Sequence, residues 1–89
     1  MNNEQASPLE FPCRFPIKAM GRRSEEFERA VGDIIFAHAR LVAGERLRVT
    51  PSRAGNYLSI TAVIQAESRN QLDTIYQSLT DCELVLVAL

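Results

Sequence analysis

The sequence carries almost no net charge, no long apolar run and very little metal-ligating or nucleophilic chemistry, and each absence removes a class of function. Ten Lys and Arg side chains stand against eleven Asp and Glu, so the surplus of positive charge that marks a dedicated nucleic-acid binder is missing. Partners have to be recognised locally. No apolar stretch approaches the ~20 residues that cross a bilayer, and the opening Met1-Asn2-Asn3-Glu4-Gln5 has neither the basic nor the apolar region of a signal peptide. The expected compartment is the cytoplasm, away from membranes. One histidine, His38, and two distant cysteines, Cys13 and Cys82, are too few and too scattered for the three or four clustered ligands of a zinc site. No metal and no cofactor is expected. Ser24 and Ser59 have no evident His-carboxylate relay, and Cys13 has only Arg14 as a cation nearby in sequence, so no catalytic residue is assigned and the chain reads as a non-enzyme. Internal repeats and low-complexity tracts are missing too. Eighty-nine residues make one domain, which at this size buries roughly 60–65% of the surface its unfolded chain exposes. That disfavours a deep cleft in a monomer and makes association with another chain an expectation.

What is present is a clear alternation of periodicities. Residues 11, 13, 15, 17 and 19 are apolar while Arg14 and Lys18 are cationic, the period-2 pattern of a strand with one face in a core. Pro12 and Pro16 lie four apart and so remove an N–H from the same edge of that strand, which predicts a defective ladder there, above all near its beginning. Residues 1–10, polar and broken by Ser7-Pro8, read as a flexible tail, with a single domain over 11–89. Ser24 is an N-cap followed by Glu25, Glu26 and Glu28, where the helix dipole favours negative charge, and a helix is expected to about residue 40. Its stripe is Phe27, Ala30, Val31, Ile34, Ile35 and His38, with Phe36 facing away. Residues 45–50 alternate charged and apolar, with Leu47 and Val49 inward, 51–56 are turn chemistry around Gly55-Asn56, and 57–66 return as a strand with Leu58, Ile60, Ala62 and Ile64 on one face. Ser68-Arg69-Asn70-Gln71 is a capping box for a second helix carrying Leu72, Ile75, Tyr76 and Leu79, and residues 83–89 close the chain as an apolar strand.

The order β-α-β-β-α-β is the split βαβ of ferredoxin-like folds, an α+β sandwich with a four-stranded antiparallel sheet covered on one face by two helices. The expected strand order is four, one, three, two. In that arrangement Cys13 and Cys82 stand on the order of 20 Å apart, beyond the ~7 Å Cα limit of a disulfide, and are expected as free thiols.

Leu9-Glu10-Phe11-Pro12, Phe15, Lys18-Ala19-Met20-Gly21, the string Pro51-Ser52-Arg53-Ala54-Gly55-Asn56-Tyr57-Leu58-Ser59 and the apolar final strand resemble the YbeD-like family of small bacterial cytosolic proteins, across nearly the whole chain. The resemblance implies a fold similar to ACT regulatory domains and a regulatory role connected with lipoate metabolism. It brings no activity and no catalytic residues. ACT domains commonly bind amino acids where the first strand turns into the first helix, which here is Gly21-Arg22-Arg23-Ser24. This chain departs from ligand-binding ACT sequences by placing two arginines, rather than an aliphatic residue, after the glycine.

Three surfaces are candidates. Gly21, Arg22, Arg23 and Ser24, ahead of a helix N-terminus, can hold a small anionic ligand such as a carboxylate or phosphate, against the simpler reading of a solvated turn with an ordinary cap. Arg14, Lys18, Arg46 and Arg48 are expected to share the helix-free sheet face. That arrangement suits a weak nucleic-acid or polyanion binder, but base stacking needs exposed aromatics and this face offers only Tyr57. Phe36 on the first helix and Val85 and Val87 in an edge strand are candidates for partner docking or self-association. The reading is a non-enzymatic binding module acting through a protein partner or a small anionic ligand, with the polyanion surface as the alternative.

Overall fold

A computed structural model describes residues 9–89. The expected tail lies mostly outside the described residues. The elements are β1 (Cys13–Arg22), α1 (Glu25–His38), β2 (Arg48–Pro51), β3 (Tyr57–Ala66), α2 (Arg69–Asp81) and β4 (Val87–Ala88). All strands pair antiparallel in the order β2-β3-β1-β4. This is the ferredoxin-like sandwich that the periodicities predict, and the ACT-like fold that the family resemblance implies.

The core lies between the sheet and the two helices. Ile17 and Ala19 of β1, Leu58, Ile60, Ala62, Ile64 and Ala66 of β3, Phe27, Val31 and Ile35 of α1, and Leu72, Ile75 and Leu79 of α2 are all buried. A fully buried side chain of the Phe or Ile class contributes about 1.5–3 kcal/mol relative to an exposed one, so these thirteen dominate the stability. Both helices start where the caps predict. Ser24 Oγ accepts from Phe27 N at 3.0 Å and Ser68 Oγ from Gln71 N at 3.0 Å. The reciprocal half of the second capping box is displaced by one residue, because Gln71 Oε1 accepts from the backbone of Glu67 at 2.6 Å.

Three boundaries differ from expectation, and tertiary hydrogen bonding explains each. First, α1 stops at His38 rather than about residue 40. There the chain turns extended and lies beside β3, with Gln65 N donating to Arg40 O, Val42 N to Val63 O, and Leu41 bridged to Ile64. His38 ends exposed rather than on the buried stripe. Second, β2 begins at Arg48, not 45. Residues 42–47 loop out between the Leu41–Ile64 bridge and the Arg48–Thr61 pair, starting with a turn closed by Glu45 N on Val42 O. Within that region Leu47 packs against the core, whereas Val49 sits on the helix side of an edge strand and is 42% exposed. Third, the final strand is two residues long, because Val85 N turns back to Cys82 O and only Leu86 to Leu89 reach β1.

The two prolines explain where the last strand pairs. Lys18 exchanges both backbone bonds with Leu89, and Met20 O accepts from Leu86 N, so the even residues of β1 direct their backbone groups toward β4. Pro12 and Pro16 share that parity. The edge of β1 facing β4 is paired only from Lys18 onward, while its other edge pairs with β3 over the full ten residues. Cys13 and Cys82 are free thiols.

Gly21 proves to be a strand residue, not a turn. It is buried, and a Cβ there would overlap the Leu84 carbonyl oxygen and meet the Phe27 ring at 2.5 Å. The glycine is what lets β1, α1 and the loop ahead of β4 approach one another. At the β2–β3 hairpin Gly55 has φ 83°, which an L side chain adopts only with strain, whereas Asn56 needs no positive φ.

Candidate binding surface

The sheet face away from the helices is assembled from residues whose side chains alternate with the core positions. Pairing registers place Arg14 opposite Gln65, Pro16 opposite Val63, Lys18 opposite Thr61, Met20 opposite Ser59 and Arg22 opposite Tyr57. Arg48 continues the Lys18 row and Thr50 the Met20 row. On the other flank Val87 stands opposite Met20, while the next pair, Ala19 and Ala88, belongs to the helix side. Met20, Tyr57, Val87 and Leu89 are 37%, 41%, 43% and 65% exposed. An apolar band therefore crosses one end of a face that otherwise carries cations and hydroxyls.

Two recesses mark this end. One, of about 120 Å³, is lined by Met20, Thr50, Pro51, Ser52, Tyr57, Leu58 and Ser59. The other, of about 450 Å³, lies beside the unpaired edge of β1 and is lined by Pro16, Ile17, Lys18, Thr61 and Leu89. A further recess, about 480 Å³, lies elsewhere, where His38, Ala39, Arg40, Gln65, Glu67 and Gln71 meet at the junction of the two helices. There the Gln71 amide donates to His38 O at 2.9 Å and accepts from Glu67 N, so it ties the end of α1 to the start of α2.

The four sequence-assigned cations are not equivalent. Glu45, in the looped-out segment, accepts from Arg14 Nη2 at 2.6 Å and Arg48 Nη2 at 3.1 Å, and its side chain is only 11% exposed. The Arg14 hydrogen bond, aided by the charges of both guanidiniums and the Arg48 bond, holds the Glu45 carboxyl below its ordinary pKa against an opposing effect of desolvation. Arg46 lies ahead of β2, outside the paired rows. Lys18 enters no salt bridge among the described residues. Nothing in the alternation of residues 45–50 signalled the Glu45 clamp, because it depends on a loop that the pattern does not reveal. Met20 was legible, since it shares the parity of Arg14 and Lys18.

At the end of β1, Arg22 and Arg23 are drawn to the hairpin. The Arg22 guanidinium carbon is 5.7 Å from the centroid of the Tyr57 ring, a cation–π distance. Arg23 N donates to Asn56 O at 2.9 Å, and Ser24 Oγ is committed to its cap. Of the proposed docking residues, Phe36 is 57% exposed on α1 and Val87 lies on the open face, whereas Val85 packs against the core. Burial also raises the pKa of the Tyr76 hydroxyl on α2. Among the described residues no three His, Cys, Asp or Glu side chains cluster as metal ligands, and no helix is long and apolar enough to cross a membrane.

Against known proteins, residues 6–89 match the family described as "Protein of unknown function (DUF493)". The chain belongs to this family. A UPF0250 protein of Neisseria gonorrhoeae is 45% identical over 85 residues, covering 96% of this chain and 93% of that one. One from Paraburkholderia phytofirmans is 39% identical over the full length of both chains. These small bacterial proteins are the YbeD-like group that the sequence strings resemble. The solution structure of protein HP0495 from H. pylori superposes with a TM-score of 0.71 at 12% identity, covering 100% of this chain and 94% of that one. That likeness establishes the shared fold.

Proposed function

We propose that this protein is a non-catalytic docking module whose open sheet face receives a protein partner and thereby regulates it. The observation that carries the reading is the gathering of Met20, Tyr57, Val87 and Leu89 on one end of the face beside Lys18 and Arg22. A contiguous apolar patch rimmed by polar groups is the surface signature of protein recognition. Sheet extension is a poorer route than the face. Pro16 removes a donor from the open edge of β1, and β4 offers only a two-residue edge of its own. The family resemblance makes lipoate metabolism the first process in which to seek the partner.

A photo-crosslinking residue placed at Met20 or Val87 in living bacteria tests this, with Arg29 and Asp73 on the outer helix surfaces as controls. The reading expects protein adducts from the two sheet positions and none from the helix positions. Adducts from the helix positions alone, or to nucleic acid alone, would defeat it.

A further inference from the structure

The chemistry of the open face also specifies its occupant. We infer that the face takes an acidic polypeptide segment bearing large apolar side chains, one seated in each of the two recesses, with its carboxylates on Lys18 and Arg22. This rests on the docking reading and goes further by fixing the class of partner.

Charge selects the sign of the occupant. Arg14, Lys18, Arg22 and Arg48 lie in the rows of this face, and among the described residues Glu45 is the carboxylate that reaches it, engaging Arg14 and Arg48. Lys18 and Arg22 remain without a carboxylate among the described residues. A second copy stacked face to face would oppose this same cationic surface to itself. Like charges brought together at a contact are unfavourable, so charge complementarity favours an acidic partner over a twofold copy.

Apolar geometry selects polypeptide over nucleic acid. The recess of about 120 Å³ between Met20 and Tyr57 is comparable to the ~150 Å³ cavity that accommodates a benzene ring in another protein. The second recess ends on Leu89 and Pro16. Along β1, Met20 of the first recess and Pro16 to Lys18 of the second are two to four residues apart, about 10 Å at 3.3 Å per residue. Lys18 lines the second recess on the side toward Met20, so a carboxylate between two apolar anchors meets it. A nucleic acid would need a succession of stacking platforms, and these rows offer one aromatic side chain, Tyr57, beside the Arg22 guanidinium.

The test is a heteronuclear NMR titration of the folded chain with a peptide of about twelve residues, long enough at about 3.3 Å per residue to cross the face. The peptide is composed of Asp, Glu, Leu and Phe. Two controls of equal length replace every acid by its amide, or every Leu and Phe by Ser, and oligo-dT is the nucleic-acid probe. The proposal expects the acidic apolar peptide to shift amide signals of residues 17–22, 57–61 and 87–89. Both peptide controls and oligo-dT should bind about tenfold more weakly or worse, and Lys18→Glu with Arg22→Glu should cost about tenfold. Met20→Asp, an exposed change that thermal melting can show to leave the fold intact, should do the same.

Equal binding by the Ser control or by oligo-dT would make the face a polyanion surface and overturn the proposal. Equal binding by the amide control would make the face merely apolar and overturn it equally. Sedimentation of a dimer that Met20→Asp dissociates would assign the face to a second copy, and no binding at millimolar peptide would also overturn the inference. Crosslinks from Met20 together with failure in this titration would leave the docking reading standing and remove only the acidic partner.

Discussion

Glu45 shows how one carboxylate changes the character of a surface. It reaches out of the 42–47 loop to Arg14 on β1 and Arg48 on β2, bridging across β3 and engaging two of the face's cations. Because its folded pKa is lowered, its contribution to stability is present above the unfolded carboxylate value of about 4.3 and is lost as pH falls through the folded pKa. Urea midpoints of wild type and Glu45→Gln should therefore differ at neutral pH and converge in acid. A gap that persists below the folded pKa would contradict the clamp. Both arginines are largely exposed, so the gap should be modest and shrink in salt. At this scale the sequence was legible wherever a pattern repeats. The alternation of β1 marked Ile17 and Ala19 as core, and the 3.6-residue stripe marked Phe27, Val31 and Ile35. It was silent on Glu45 because no local pattern specifies a contact across two strands.

At the scale of elements, identity was legible and extent was not. Caps at Ser24 and Ser68 mark helix starts because the hydroxyl meets a backbone donor three residues on. Ends depend on distant partners. Residues 39–42 leave the helix for β3, and Leu84, Val85 and Leu86 fill a loop rather than the expected strand. Gly21 joins three elements at once, since Leu84 and Phe27 both occupy the space of its missing Cβ. Gly21→Ala should destabilise the fold by about 1–3 kcal/mol, as overpacking against backbone does, measured by urea denaturation. An unchanged midpoint would show that the approach of these elements can relax. The glycine was noticed in the sequence as a turn residue, and its true role could not be read there because the clash involves Leu84, far away along the chain.

For the whole molecule, no element among the described residues covers one sheet face, and the account depends on what happens to that face in the cell. The prolines blunt the open edge of β1, the short β4 limits extension on that side, and the apolar band on the face remains accessible. The topology was legible from the order of periodicities, and so was the placement of Arg14, Lys18 and Arg48 in the rows of the helix-free face. What could not be read was the distribution of charge over the face, which is set by folding. Met20 and Tyr57 report on the open face and Phe36 on the outer side of α1, so a single measurement discriminates between them. Hydroxyl-radical footprinting should be compared between the chain inside living bacteria and the purified protein. The account expects Met20 and Tyr57 to be protected in the cell while Phe36 oxidises equally in both. Protection of Phe36 with Met20 and Tyr57 unchanged would place the partner on the helices and contradict it.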